Sequence, residues 1–465
     1  MKEITNKSHY NATFLAIFLL LIASCNSKET VNEPYFRIEG STELSVSEGE
    51  SVHEYSVKSN GKWDILRKSA QAWAEATPFS GRNDGSFRIA ISENKSKANR
   101  SLSFSFLLNG NEVPEKISVA QQGNPNGIDD GDGGGDGDGD EDEKDDCEDC
   151  PLYTVSKIWD QGNHNAFTDL IKFGGKYFCA FREAGAHVPQ KPEDDGKIRI
   201  LVSTDGVAWE TAALIVKDGI DCRDPKLSIT PDGRLMVLFD GAIYRDGVNY
   251  GRTDHVSFSE NSEGKWFSTP QPIIRGQDVP AGWLWRVTWD RYTGYGVMYQ
   301  SSNIYLLSTT NGINYTLVTK LNVTGSPNES TVEMLGNNKM RIVVRRDQAN
   351  NNTGYIGYSG KDYTEWTWTD LGVRLGGPHI ITLPNGKTII GSRSFRGDGT
   401  TRTSLFELNN QTNNMTELLE LPSGGDTSYP GFVVVGNELW VSYYSSHDAK
   451  TSIYFAKVRY KKLFN

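Results

Sequence analysis

Apolar and polar residues alternate with a period of two through most of this chain, in short runs separated by turns rich in glycine, asparagine and aspartate. Such alternation marks half-buried strands, and the 3.6-residue periodicity of amphipathic helices is hard to find, so an all-β protein is expected. Residues 35–122 read as one set of strands ("HEYSVKSNGKWDI", "SFRIAISEN", "LSFSFLLNG", "EKISVAQQG"), enough for a small β-sandwich. After Pro151 a larger unit recurs six times: a polar head, an apolar stretch, a tight turn, a second apolar stretch and a polar tail. The copies are "FTDLIKFGGKYFCAFREAG", "CRDPKLSITPDGRLMVLFDG", "LWRVTWDRYTGYGVMYQSS", "PNESTVEMLGNNKMRIVVRRD", "GGPHIITLPNGKTIIGSRSF" and "SYPGFVVVGNELWVSYYSSH". Third and fourth strands such as "KIRILVSTDGVAWETAALI" lie between them. Six four-stranded units repeating every 45 to 60 residues or so predict a six-bladed β-propeller. The last unit lacks a fourth strand, and "LYTVSKIWD", Leu152–Asp160, is expected to supply it from the other end of the repeat.

Hairpin geometry gathers the charges. The head of a first strand and the tail of its partner lie at the same end, so six inner hairpins bring their heads and tails to one face. That face is expected to hold Asp169, Arg182, Glu183, Arg223, Asp224, Asp240, Arg286, Glu329, Arg345, Arg346, His379, Arg393, Tyr429, Ser445 and His447, with Asp426 beside Tyr429. The opposite ends carry only turn residues ("GGK", "PDGR", "GNNK", "PNGK"). Polar side chains converging on an open funnel suit binding or catalysis.

Composition changes the picture mainly at the N-terminus. Lys2 and Lys7 precede the apolar run "FLAIFLLLIA", too short for a membrane span, which ends in "IASC". The pattern resembles a bacterial lipoprotein signal (residues 1–24) with Cys25 as the acylated first residue of the exported chain and 25–34 as a tether. The formal net charge of −11 is misleading: Asp129–Asp149 holds thirteen acids and one lysine, net −12, which leaves the rest near neutrality. Residues 123–150 are therefore expected to be a solvated linker. Its "DGDGDED" lacks the sixth-position glycine and closing glutamate of a calcium loop. Without a basic excess in the folded part, nucleic acid is not an expected partner. Cys147 and Cys150 are placed to pair in an oxidising compartment, and Cys179 and Cys222 to be buried. No zinc-ligand spacing joins the cysteines or the scattered His164, His187, His379 and His447, so no metal or cofactor is expected.

Two resemblances sharpen this reading. "NGKWDI", "AWAEATPFSG" and "ISVAQQG" resemble the BACON domain, common at the N-terminus of exported Bacteroidetes carbohydrate-processing proteins, which implies a spacer or a sugar binder for residues 35–122. "STDGVAW", Ser203–Trp209, resembles the Asp-box turn of sialidase propellers, with "STTNGINY" and "SGKDYTEW" as decayed copies, and the likeness extends over residues 151–465. "NESTVEMLGNNKMRIVVR" resembles the sialidase hairpin with a glutamate at its head and a triad arginine at its tail, here Glu329 and Arg345; "TSYPGFVVVGNELWVSYYSS" resembles the last hairpin, with the nucleophilic tyrosine at Tyr429. The resemblance implies an exo-α-sialidase-like glycosidase, monomeric and acting on glycans, with a loop acid at Asp194 or Asp195. Thr168 stands where the first triad arginine is expected, so Arg182, Arg286, Arg345 and Arg393 are the candidates for an anion-binding cluster, with Asp169, Glu183, Arg223, Asp224, His379 and Asp426 as further binding residues. A propeller lyase using Arg345, His379 and Tyr429, another exo-glycosidase, or a non-catalytic glycan receptor would use the same face.

Overall fold

The computed structural model describes residues 33–125 and 150–464, apart from 68–72, 95, 110, 260 and 262–263. The expected signal segment, Cys25, most of the tether and most of the linker lie outside the described residues. Among the described residues no helix is long and apolar enough to cross a membrane. Among the described residues all the regular structure is strand, apart from two short 3-10 turns at Pro192–Asp194 and Tyr460–Phe464.

The first unit contains two sheets. One pairs Phe36–Glu39, Ser51–Ser59, Gly85–Ile91 and Ala74–Thr77; the other pairs Glu43–Val46, Asn111–Gln121, Arg100–Leu108, Lys62–Arg67 and Ser80–Arg82. Alternate residues of both sheets bury one core around Trp63, Phe87, Phe104 and Phe106, as strands with one wet face should. Trp63, the centre of the "NGKWDI" run, is 1% exposed and donates its indole N–H to the Asn83 carbonyl at 2.9 Å.

The second unit contains six sheets. Sheet 1 runs His164–Phe173, Lys176–Ala184, Lys197–Ser203, Glu210–Ile215; sheet 2 runs Asp221–Ile229, Leu235–Arg245, Val248–Phe258, Gln271–Pro272. Sheet 3 runs Trp283–Asp290, Thr293–Gln300, Asn303–Thr309, Asn314–Leu321, with Ile274–Arg275 added in parallel outside it. Sheet 4 runs Pro327–Gly336, Lys339–Arg346, Thr353–Ser359, Thr367–Arg374; sheet 5 runs His379–Thr382, Thr388–Phe395, Thr401–Leu408, Met415–Leu421. Sheet 6 runs Thr427–Val435, Glu438–Ser445, Ser452–Arg459, and its fourth strand is Tyr153–Trp159, the segment expected to close the repeat.

The first strands of the six sheets touch in cyclic order, the sixth returning to the first. A hydrogen bond involving a side chain fastens each junction. Thr168 Oγ1 donates to the Tyr429 carbonyl (2.7 Å), Asp169 accepts from Leu227 N–H (2.7 Å), and Asp254 accepts from Leu284 N–H (3.2 Å). Thr288 donates to Val332 O (2.7 Å), Thr331 to Pro378 O (2.8 Å), and His379 Nδ1–H to Pro430 O (3.0 Å). These polar side chains bond backbone groups of the neighbouring sheet at buried or partly buried positions, where unpaired groups would be costly.

The Asp-box reading is legible in the turn at Ser203–Trp209. Asp205 accepts from the N–H groups of Val207 (2.8 Å) and Ala208 (3.1 Å), Ser203 Oγ accepts from Gly206 N–H (2.8 Å), and Gly206 has φ +65°. In the copy at Thr309–Asn314 the same bonds form with Asn311 in the aspartate position, at 2.9 Å to Ile313 and Asn314. An amide oxygen accepts backbone N–H bonds as a carboxylate does, so the turn outlives the loss of its charge. Cys179 and Cys222 are free and buried as expected, and Cys150 is disulfide-bonded; Cys147 lies outside the described residues.

Candidate functional site

A local irregularity repeated in five of the six first strands builds the site. Register slips between Ala166 and Asp169, Arg223 and Lys226, Leu284 and Val287, Pro327 and Ser330, and Ser428 and Gly431. Each slip is a β-bulge, which ends regular pairing and re-aims the side chains it carries. The bulged residues include Phe167, Asp224, Glu329 and Tyr429, and all four line one pocket of about 300 Å3. Phe167, Asp224 and Tyr429 have φ of +64°, +52° and +55°, a conformation that L side chains rarely adopt and that costs free energy unless the surroundings impose it. At Tyr429 the surroundings are the Thr168 bond to its carbonyl and packing against Phe167 and Trp285, with ring centroids 5.2 and 5.6 Å away. The expected first-arginine position is thus occupied by a residue that anchors the tyrosine backbone.

Tyr429 Oη donates to Glu329 Oε1. The other carboxylate oxygen of Glu329 accepts from Arg345 Nη1 at 2.6 Å and from Gly377 N–H at 2.9 Å, and Arg345 Nη1 lies 3.4 Å from Tyr429 Oη. Head and tail of one hairpin therefore converge on the head of another, one hundred residues away. Burial, reinforced by the Glu329 charge, holds the Tyr429 phenol well above its ordinary pKa, so at neutral pH it is protonated with a carboxylate ready to accept its proton. Beneath it Lys226 is buried, its ammonium 4.6 Å from the Trp285 ring centroid and 5.7 Å from that of Tyr429; burial pulls its pKa down to about 8. Asp224 is pushed the other way, upward, by burial.

Three arginines line the pocket: Arg223, Arg345 and Arg393. Arg393 donates to Thr427 O (2.8 Å) and Tyr444 Oη (3.0 Å); Arg223 donates to Tyr244 Oη (3.0 Å) and the His187 carbonyl (3.3 Å). Two other expected members of the cluster do not reach it. Arg182 is fully buried, bound to Asp221 at 2.6 and 2.9 Å and to Ala186 O at 2.8 Å, and Arg286 is bound to Asp169 at 2.8 and 2.9 Å. A guanidinium fixed in this way by a buried carboxylate is a structural cross-link. Period-two alternation sends Glu183 to the other face from Arg182, where it pairs with Arg199 at 2.9 Å. Asp194 and Asp195 do not line the pocket: Asp194 accepts from Gln190 N–H (3.3 Å) within its own loop, and the Asp195 carboxylate is buried with its pKa raised by that burial. His379 is held by Pro430 O, stacks on Phe432 at 4.9 Å and is kept neutral by burial, so it is a latch at the sheet 5–6 junction. Asp240 and Arg346 are fully buried.

Sequence reasoning missed an aromatic wall, Phe167, Tyr244, Trp283 and Tyr444, and with it His187, all lining the pocket. The only signal for the aromatic residues was position at a strand head or tail, which polarity alone did not select, and His187 lies in the loop after Lys176–Ala184. It also missed a meeting of distant residues: His164, His187 and Asp426 bring one ligand atom each to within 4.8 Å of one another. Asp426 accepts from Tyr444 Oη at 2.9 Å; burial would raise its carboxyl, but bonds from His164 and His187 and the Arg393 charge hold it well below the usual range.

No protein-family model and no curated protein matches the chain. Solved structures do. A Dyadobacter fermentans protein of unknown function is 18% identical with a TM-score of 0.56, the match covering 67% of this chain and all of that one. Trypanosoma rangeli sialidase in complex with the inhibitor DANA is 11% identical with a TM-score of 0.51, over 66% of this chain and 60% of the sialidase. The same enzyme with 2,3-difluorosialic acid, a covalent intermediate, is 12% identical with a TM-score of 0.51, over 68% and 60%. This chain thus spans well under two thirds of the sialidase, and at such identities the likeness is one of fold: an all-β, sialidase-like arrangement of sheets.

Proposed function

We propose that residues 151–465 are a six-bladed β-propeller glycoside hydrolase of the sialidase type, with Tyr429 as nucleophile and Glu329 as its base. The observation that carries this reading is the Tyr429 Oη to Glu329 hydrogen bond, in a pocket where Glu329 is held by Arg345 at 2.6 Å. A carboxylate beside the anomeric carbon of an acidic sugar repels an anionic nucleophile, whereas a neutral phenol approaches freely and loses its proton to Glu329 as the bond to carbon forms. The glycosyl-tyrosine is then hydrolysed, with net retention of configuration. Arg223, Arg345 and Arg393, from three different sheets, supply the forked donors that a sugar carboxylate requires. Asp224 lines the pocket and burial raises its pKa, which suits it to protonate the leaving oxygen in place of Asp194 or Asp195.

Around this core, residues 1–24 act as an export signal, Cys25 carries the lipid anchor, and the BACON-like unit with its acidic linker holds a monomeric propeller away from the membrane toward glycan substrates. The test is hydrolysis of aryl glycosides of sialic acid, fucose, galactose and uronic acids, with ultraviolet monitoring for elimination. Release from the sialoside, abolished in Tyr429→Phe, supports the proposal; unsaturated product identifies a lyase, and no turnover with tight glycan binding identifies a receptor. A neutral-sugar glycosidase is the second reading, favoured by the aromatic wall and by the existing partners of all three pocket arginines.

A further inference from the structure

We infer that His164, His187 and Asp426 form a binding site for a divalent first-row transition ion, best matched by zinc, at the edge of the pocket. The site shares the pocket with Tyr429 but needs nothing from the Tyr429 chemistry. His164 comes from the head of sheet 1, His187 from the loop that leaves its second strand, and Asp426 from the approach to sheet 6. No spacing in the sequence announces the trio, which the cyclic closure of sheet 6 on sheet 1 brings together.

The geometry points to an ion in three ways. Both imidazoles address one atom: His164 Nε2 lies 3.1 Å and His187 Nδ1 2.7 Å from Asp426 Oδ2. In a tetrahedral zinc site with ligand bonds of about 2.0–2.2 Å, ligand atoms stand about 3.3–3.6 Å apart, so both N···O separations need to open by only a few tenths of an ångström, and the two imidazole nitrogens already lie within 4.8 Å of each other. Second, the other carboxylate oxygen is already engaged, Oδ1 accepting from Tyr444 Oη at 2.9 Å with Arg393 Nη2 at 3.5 Å, which aims Oδ2 at the histidines. The Asp426 backbone is pinned as well, its N–H donating to Ser446 Oγ at 2.8 Å and its carbonyl accepting from Ser446 N–H at 3.0 Å. Partners of this kind orient ligands in metal sites. Third, the trio is closed on one side and open on the other: the His164 side chain is 9% exposed, whereas that of His187 is 48% exposed and lines the pocket. Two histidines and a carboxylate with an open position are a donor set for zinc and its neighbours, and harder ions such as calcium prefer all-oxygen sites. An ion held there would present its free position to a hydroxyl or carboxylate of a pocket ligand.

The competing arrangement uses the same atoms without an ion: His164 Nε2–H and His187 Nδ1–H both donate to Asp426 Oδ2, while His164 Nδ1 faces Arg182 Nη1 at 3.4 Å. Titration separates the two. Full-length protein without added histidines, dialysed against EDTA, is titrated with Zn2+ by calorimetry and with Co2+ by visible absorption. The expected result is one saturable equivalent with cobalt bands of a four- or five-coordinate site, at least a hundredfold weaker in His187→Gln and in Asp426→Asn, and about tenfold weaker in Tyr444→Phe. His187 is exposed, so its substitution leaves the fold standing. Absence of saturable binding, or binding undiminished in His187→Gln because the ion sits elsewhere, as on the acidic linker, overturns the assignment. Neither readout involves glycoside turnover, so the result is independent of the proposed activity.

Discussion

Tyr429 is held by its partners at a backbone angle it would not choose, and the residues that hold it can be tested singly. Thr168→Val keeps the shape but removes the donor to Tyr429 O and the acceptor for Ser442 Oγ at 3.0 Å. In a fully buried position that loss costs about 1–3 kcal/mol, read as a lower midpoint in urea unfolding, and turnover falls with it as the phenol drifts from Glu329. Tyr429→Phe and Glu329→Gln each lower kcat by about a thousandfold or more, and the double variant loses little beyond the worse single one, since the pair acts as a unit. Asp224→Asn slows substrates with poor leaving groups far more than activated aryl glycosides, which need no proton; equal losses on both would remove it from the acid role. Glu329, Arg345 and Tyr429 were legible in the sequence because each sits at the head or tail of a clear hairpin. Arg182, Arg286 and His379 were placed at the right end but given the wrong task. A polar residue at a strand tip can face the funnel or the neighbouring sheet, and only the partner, Asp221, Asp169 or Pro430, decides which.

At the scale of single elements, sheet 2 carries two carboxyls with no counterpart in the other repeats. Asp240 and Asp254 are directly paired across adjacent strands and fully buried; Asp254 accepts from Arg275 at 2.8 Å, and neither oxygen of Asp240 has a hydrogen-bond partner. Burial raises both, Asp254 to about 6, and at Asp240 the Asp254 charge adds to it. A carboxyl raised in the folded state binds its proton more tightly there than in the unfolded chain. Its contribution to stability is complete below pH ~4 and is lost as pH rises through about 6. Asp240→Asn should therefore flatten the fall in melting temperature between pH 5 and 8 and be the more stable protein at pH 8; parallel profiles would show that the pair shares no proton. The six inner hairpins and the closing strand were readable from period-two alternation and turn residues. The bulges were not. Each places two residues opposite one and so inverts the alternation, but it does so at the polar strand head, outside the apolar stretch that shows the period, and "FTDL", "RDPK", "NEST" and "YPGF" share position without sharing composition.

For the whole molecule, cyclic closure supports the site, because Tyr429 of sheet 6 meets Glu329 of sheet 4 while its backbone is held by Thr168 of sheet 1. Tyr153–Trp159 completes sheet 6 against Ser452–Arg459, so deleting Leu152–Asp160 exposes a strand edge and should lower the melting temperature of the entire unit in one transition. The N-terminal sandwich touches turns at the end away from the pocket, with Ser80 Oγ donating to Pro231 O at 3.2 Å and Lys62 Nζ 3.5 Å from the centre of the Tyr292 ring. Removing residues 1–149 should thus leave kcat/KM within about twofold, and Cys25→Ala should shift the protein from the membrane to the soluble fraction with activity intact. The repeat, its closing strand and the end that carries the site followed from the sequence because each is a periodic feature. The meeting of His164, His187 and Asp426 did not, since it depends on which neighbour each sheet finds. Whether Tyr429 attacks an acidic sugar is decided by incubating the protein with 2,3-difluorosialic acid and measuring intact mass and labelled peptides. One added glycosyl unit, mapped to Tyr429 and absent in Tyr429→Phe, is the expected result; a label on Asp224 or Glu329, or none in a protein that cleaves sialosides, rules out Tyr429 as the nucleophile.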